Sequence, residues 1–114
     1  MEKNIETIIE ETELLIERND EPALHNLLEE LNISEVKDLI DELPEFGSRF
    51  IEMLPLSRSV HVFRILDFPV QERIIKKLSG GKITELINEL PPDDRTSFFS
   101  ELHGDVVKKL IIVK

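Results

Sequence analysis

A leucine returns at positions 31, 43, 54, 66, 78, 90 and 102, twelve residues apart with one step of eleven. Each closes the same five-residue pattern: two apolar residues, two variable ones, then Leu. The copies are LLEEL (27–31), LIDEL (39–43), FIEML (50–54), VFRIL (62–66), IIKKL (74–78), LINEL (86–90) and FFSEL (98–102), and VVKKL (106–110) ends the series after a shorter interval. Self-similarity at a fixed period constrains a fold more than any local signal does, because each unit buries its apolar face only against neighbouring copies. Pro44, Pro55, Pro69, the Gly80-Gly81 pair and Pro91-Pro92 interrupt the helical period where a new unit begins.

Between these breaks the apolar residues keep helical spacing. Ile5, Ile8, Ile9, Thr12, Leu15 and Ile16 make one stripe of a helix over residues 3–18, and Glu6, Glu10, Glu13 and Glu17 follow the same spacing on another face. Asp20 and Pro22 start a second helix with the stripe Leu24, Leu27, Leu28 and Leu31. Ser34 is expected to cap a third, striped by Val36, Leu39, Ile40 and Leu43. Each unit leaves room for a helix of about ten residues, below the roughly 12–15 at which an isolated helix becomes marginal in water. Connections of two to four residues then force successive helices back on one another. The expected fold is all-α, a superhelix or solenoid-like stack of short helices in roughly twelve-residue repeats. It forms one domain over 1–114, with a leading acidic helix at 1–19 and the short-helix repeats at 20–114. Phe50, Phe63, Phe98 and Phe99 sit on stripe positions and are expected in the core. Phe46 and Phe68 lie near turns and are expected to be partly exposed, and His61 to lie on the surface or line a groove. The apolar run Ile111-Ile112-Val113 is expected either to continue into a longer natural chain past Lys114 or to tuck onto the first helix.

Charge narrows the partners. Of the chain's 24 acids and 14 bases, residues 1–45 hold 15 acids and 3 bases, leaving 9 acids and 11 bases for the rest. Acid of that density repels a phosphate backbone, so nucleic acid is a poor partner. A basic protein surface or divalent cations suit it better, and a merely solvated face is the plain alternative. There is no Cys, so neither a disulfide nor a thiolate metal site is available, in keeping with a reducing compartment. No run reaches the eighteen apolar residues of a membrane span, and the first residues carry no secretory signal, so this segment is expected to be soluble and cytosolic.

No catalytic constellation is present, and the chain is not expected to be an enzyme. His25, His61 and His103 lie in different units without ligand spacing, and no H-E-x-x-H or G-x-S-x-G occurs. Gly80-Gly81-Lys82-Ile83-Thr84 lacks the glycine spacing and the preceding strand of a phosphate loop and is expected to be a turn between helices. Asp93 and Asp94 follow Pro91-Pro92 in the first turn of a helix expected over Thr96–Leu102. Carboxylates there complement the helix dipole, each worth roughly 0.3–1 kcal/mol. The other reading is that one or both reach a hard cation through oxygen and water, as Mg²⁺ allows.

The ladder, and above all LINELPPDDRTSFFSEL with LLEELNISEVKDLIDELP and LDFPVQERIIKKL, resembles the N-terminal cytosolic domain of MgtE-type magnesium transporters over roughly residues 20–114. That resemblance implies a domain preceding cystathionine-β-synthase-type (CBS) domains and a membrane pore, in a homodimer at the cytoplasmic face of the membrane. Mg²⁺ held between acids of this domain and the CBS domains would keep the assembly compact and the pore shut. Asp93 matches a position at which the family has an acid facing the CBS domain. Ser97 and His61 stand where further acids are expected, so the resemblance implies either that fewer ions bind here or that other acids, such as Asp94 or Glu89, serve. The competing reading is a helical-repeat scaffold, like the flagellar motor-switch protein FliG, that docks a basic partner with no metal role.

Overall fold

A computed structural model describes residues 4–102. All regular structure in them is helical: α1 (Ile5–Glu17), α2 (Glu21–Glu30), α3 (Ile33–Glu42), a 3₁₀ turn (Pro44–Phe46), α4 (Gly47–Met53), α5 (Leu56–Ile65), α6 (Phe68–Lys77), α7 (Gly80–Glu89) and α8 (Pro92–Glu101). The all-α expectation holds, and six of the helices have ten residues. His103, VVKKL and the apolar run at 111–113 lie outside the described residues.

The leucine ladder marks where helices end. Leu31, Leu54, Leu66, Leu78, Leu90 and Leu102 are all C-caps that leave the helix in extended backbone, with φ between −81 and −65° and ψ between 140 and 150°. The residue after each of the first five is the N-cap of the next helix. Two residues thus make the whole connection. Except for Leu102 these leucines are buried, so the side chain that ends one helix also plugs the core beneath the next. Leu43 departs from the rule with φ −125° and ψ 61°, and leads into the 3₁₀ turn and a seven-residue α4. That irregular unit accounts for the single step of eleven.

The junction after α1 is built differently. Asn19 takes a left-handed φ of 54°. Its N–H donates to the Ile16 carbonyl (3.1 Å) and that of Asp20 to the Leu15 carbonyl (3.0 Å), a Schellman end. Asp20 then caps α2 by accepting from the Ala23 N–H at 3.2 Å. Helix α3 is capped by Asn32, not Ser34. The Asn32 side chain accepts from the Glu35 N–H (2.8 Å) and the Glu35 carboxylate accepts from the Asn32 N–H (2.9 Å), a reciprocal capping box. Gly80 and Gly81 are not a turn but the first turn of α7, with Ser79 as the cap. Helix α8 starts at Pro92, four residues before the expected Thr96, because a proline at N1 surrenders no helical hydrogen bond.

Helices two apart in the chain pack side by side: α1 on α3, α3 on α5, α5 on α7, and α4 on α6, with α2 against α1. The result is a compact body of 40 × 25 × 21 Å around one apolar core running from Ile8 to Phe98. Phe50, Phe63 and Phe98 lie in that core, Phe46 and Phe68 are half-buried, and His61 is exposed, as the repeat implies. Phe99 is a correction: 39 % of it is exposed, because its neighbour Phe98 takes the inward position against Phe63 and Phe68 and the next residue on a helix turns about 100° away. On α1, Ile8 and Thr12 are buried while Glu6, Glu10, Glu13 and Glu17 form an exposed acidic face.

Helix ends that need donors receive them from distant units. Arg58 on α5 donates to the Leu28 (3.0 Å) and Leu31 carbonyls at the end of α2. Two repeats later, Lys82 donates to the Leu54 carbonyl at the end of α4 (2.8 Å). Buried Ser59 meets the carbonyls of Ile51 (2.9 Å) and Leu54 (3.2 Å). These bonds answer, at the ends of α2 and α4, some of the four carbonyls that every helix leaves unpaired at its C-terminus.

Candidate functional site

Pro91 and Pro92 fix the entry to α8, and Asp93 and Asp94 occupy its first turn, as the sequence implies. Their surroundings differ. Asp93 faces solvent and has no side-chain hydrogen bond among the described residues. Asp94 is half-exposed and accepts a hydrogen bond from Arg64 Nε at 2.6 Å. Arg64 belongs to the last turn of α5. Each partner complements the dipole of its own helix, a carboxylate at an N-terminus and a guanidinium near a C-terminus, and each neutralises the other. With both side chains more than two-fifths exposed, the pair is worth no more than about 1 kcal/mol of stability.

The Arg64–Asp94 pair forms a ridge between two open hollows, and both residues line each of them. One, of about 210 Å³, lies between α5, α6 and α8 over Phe63, Phe68 and Phe98, with Ser97 at its rim. The other, of about 470 Å³, is bordered by Ile33, His61 and Ile65. Ile65 is 45 % exposed, one of three large apolar side chains so placed among the described residues. His61 and Ser97, which stand where the resemblance expects acids, therefore flank Asp94 in space as well as in pattern. Glu89 ends α7 and lines neither hollow.

Arg64 is the residue that sequence reasoning missed. It stands 30 positions before its partner, and no local spacing announces a pair across that separation. Its place at a helix C-terminus was the one available hint.

As a metal site this turn is sparse. Among the described residues no group of three or more His, Asp or Glu side chains could hold an ion together. Mg²⁺ binds through one or two carboxylates and keeps several waters, so Asp93 fits as one half of a shared site. Asp94 has Oδ2 engaged by Arg64, whose positive charge opposes a cation beside it. His25 is paired with Glu29 on α2 at 3.6 Å and contributes to no cluster.

No helix among the described residues is long and apolar enough to cross a membrane. The family model described as the MgtE intracellular N domain matches residues 47–112. No curated protein matches the chain.

Proposed function

The chain belongs to the family of MgtE intracellular N domains, and from that premise we propose that it is the regulatory domain of a magnesium transporter, sensing cytosolic Mg²⁺ at an acidic interface with CBS domains and so gating ion transport. The match carries this reading, since it covers α4 to α8 and with them the Asp93 turn and the Arg64–Asp94 ridge.

The physics of such a sensor is simple. Two carboxylate surfaces in contact repel, and the repulsion grows as water is excluded between them. A hydrated divalent ion shared by the two surfaces reverses the sign. When Mg²⁺ is plentiful the domain docks on the CBS domains and holds the pore shut; when it is scarce the surfaces part and transport proceeds. In this chain Asp93 is the carboxylate free to meet such an ion, and half of each site comes from the CBS partner. Weak binding to the domain alone follows from that division. The partners implied are CBS domains of the same polypeptide, within a membrane homodimer whose cytoplasmic face this domain occupies.

The test is association between this chain and the CBS segment of its own gene, followed by calorimetry or sedimentation as MgCl₂ is added. Cation-dependent association that Asp93→Ala abolishes supports the sensor. Association that proceeds equally in a chelator, through the acidic face of α1, would instead identify a scaffold that docks a basic partner.

A further inference from the structure

We propose that the hollow of about 210 Å³ between α5, α6 and α8 is a socket for a lysine or arginine side chain of a partner protein. That side chain would take the place an internal cation fills at two earlier helix ends. No metal enters the proposal, which stands apart from the magnesium reading above.

The repeat supplies the template. The third residue of α5 is Arg58, which donates to the Leu28 (3.0 Å) and Leu31 carbonyls at the end of α2, three helices earlier. The third residue of α7 is Lys82, which donates to the Leu54 carbonyl at the end of α4 (2.8 Å), again three helices earlier. In α8 the third residue is Asp94, and the helix three earlier is α5, which ends at Leu66. A carboxylate has no hydrogen to give a carbonyl. Helix α6 carries Val70 at this place, but α3 runs straight into the 3₁₀ turn and has no regular end to serve.

The hollow stands where the missing donor belongs, for Leu66 and Asp94 both line it. From within, Gln71 answers one carbonyl of this end, that of Phe63, at 2.6 Å. Two carboxylates, Asp94 and Glu101, face the one guanidinium of Arg64 around the hollow, so its charge is negative. Arg64 Nε engages only Oδ2 of Asp94, a side chain 42 % exposed, and Oδ1 is left for a second cation. Lysine and arginine are suited to the last carbonyls of a helix, and their aliphatic stems pack on apolar surface such as Phe68 while the charged head stays at the rim. Pockets for whole small molecules run to about 300–1,000 Å³, so the size of this one fits a single side chain.

The experiment is a titration of this chain with acetyl-Gly-Lys-Gly-amide at constant ionic strength, followed by the amide resonances of residues 66–71 and 94–101. The corresponding arginine peptide, and the lysine peptide with its side-chain amine acetylated, are titrated alongside. Both cationic peptides are expected to shift those resonances saturably, with dissociation constants on the order of millimolar, and the acetylated peptide is not. Glu101→Gln should weaken binding about two- to fivefold, the range an exposed ion pair spans. Glu85→Gln removes the same charge from the exposed side of α7, outside the hollow, and should leave binding at the wild-type level. Both variants are checked for folding by circular dichroism. If the acetylated peptide shifts the same resonances as strongly, charge plays no part. If Glu85→Gln weakens binding as much as Glu101→Gln, the acidic surface at large holds the cation. Either result disproves the socket, as does silence of residues 66–71 toward both cationic peptides.

Discussion

Two neighbouring phenylalanines in one repeat have opposite fates. Phe98 is 4 % exposed and packs against Phe63 with ring centroids 5.4 Å apart at an interplanar angle of 73°. Phe99 keeps 39 % of its surface in water and meets the Phe98 ring edge-on, with centroids 6.0 Å apart. Phe63, with no exposed surface, joins α5 to α8 through that ring contact. Emptying its site removes a full aromatic and leaves a cavity that rigid neighbouring helices cannot close. Phe63→Ala should therefore cost about 3–5 kcal/mol, the range for buried aromatics. Phe99→Ala deletes a half-wet ring and should cost less than about 1.5 kcal/mol. Denaturant unfolding of the two variants decides the matter: equal losses would mean that Phe99 is covered in solution and belongs to the core after all.

At the scale of elements, what distinguishes the described residues is how little of their backbone lies outside helices. Ten-residue helices leave a large share of their N–H and C=O groups at ends, so the caps carry unusual weight. The Asn32–Glu35 box satisfies two donors at once. Asn32→Ala is expected to destabilise the protein by about 0.5–2 kcal/mol, with hydrogen exchange rising in the first turn of α3. Ser34→Ala, one turn position inside the helix, should be close to neutral. Reversed effects would restore Ser34 as the cap.

That contrast also measures what the sequence makes legible. The ladder leucines from Leu31 to Leu102 are readable, because apolar residues at helical spacing between regular breaks fit short helices, and the structure turns each into a helix end. The prolines were readable for the same reason: each has a fixed φ and no N–H to give. Which polar residue caps a helix was not, since Asn32 and Ser34 are both good N-caps and only the chain path chooses between them. The glycine pair misled because Gly in the first turn of a helix looks, in sequence, like Gly in a turn. Asp93 and Asp94 could be placed at a helix start, yet their difference could not be foreseen. It arises from Arg64, brought against Asp94 by packing between units that the linear pattern leaves unspecified. Arg58 and Lys82 were invisible for the same reason: their acceptors are backbone carbonyls, 27 to 30 positions away.

For the molecule as a whole, charge opposes compactness. The net charge is −10, and the excess of acid lies in residues 1–45, which include α1 to α3. Against this stand a few surface ion pairs, including Lys37–Asp41 at 2.7 Å, Arg64–Asp94 at 2.6 Å and Arg49–Glu21. Exposed pairs of this kind add little stability, and salt weakens them together with the repulsion. The two effects differ in range. Paired groups are in contact, whereas the acids on α1 to α3 are spread over a body whose shortest extent is 21 Å. Raising NaCl from ~20 mM to ~300 mM shortens the screening length from roughly 20 Å to roughly 6 Å, which removes mainly the long-range repulsion. Stability should therefore rise with NaCl, by about 3–6 °C in the melting temperature for a gain near 1 kcal/mol. A fall instead would mean that the ion pairs dominate. MgCl₂ at the same ionic strength provides the second half of the measurement. Pure screening gives the same melting temperature for both salts, whereas an ion that binds the folded state alone adds about 0.4 kcal/mol once its concentration equals its dissociation constant. Asp93→Asn should erase that excess while leaving the NaCl response intact, which separates a bound ion from a screened surface within one set of melting curves.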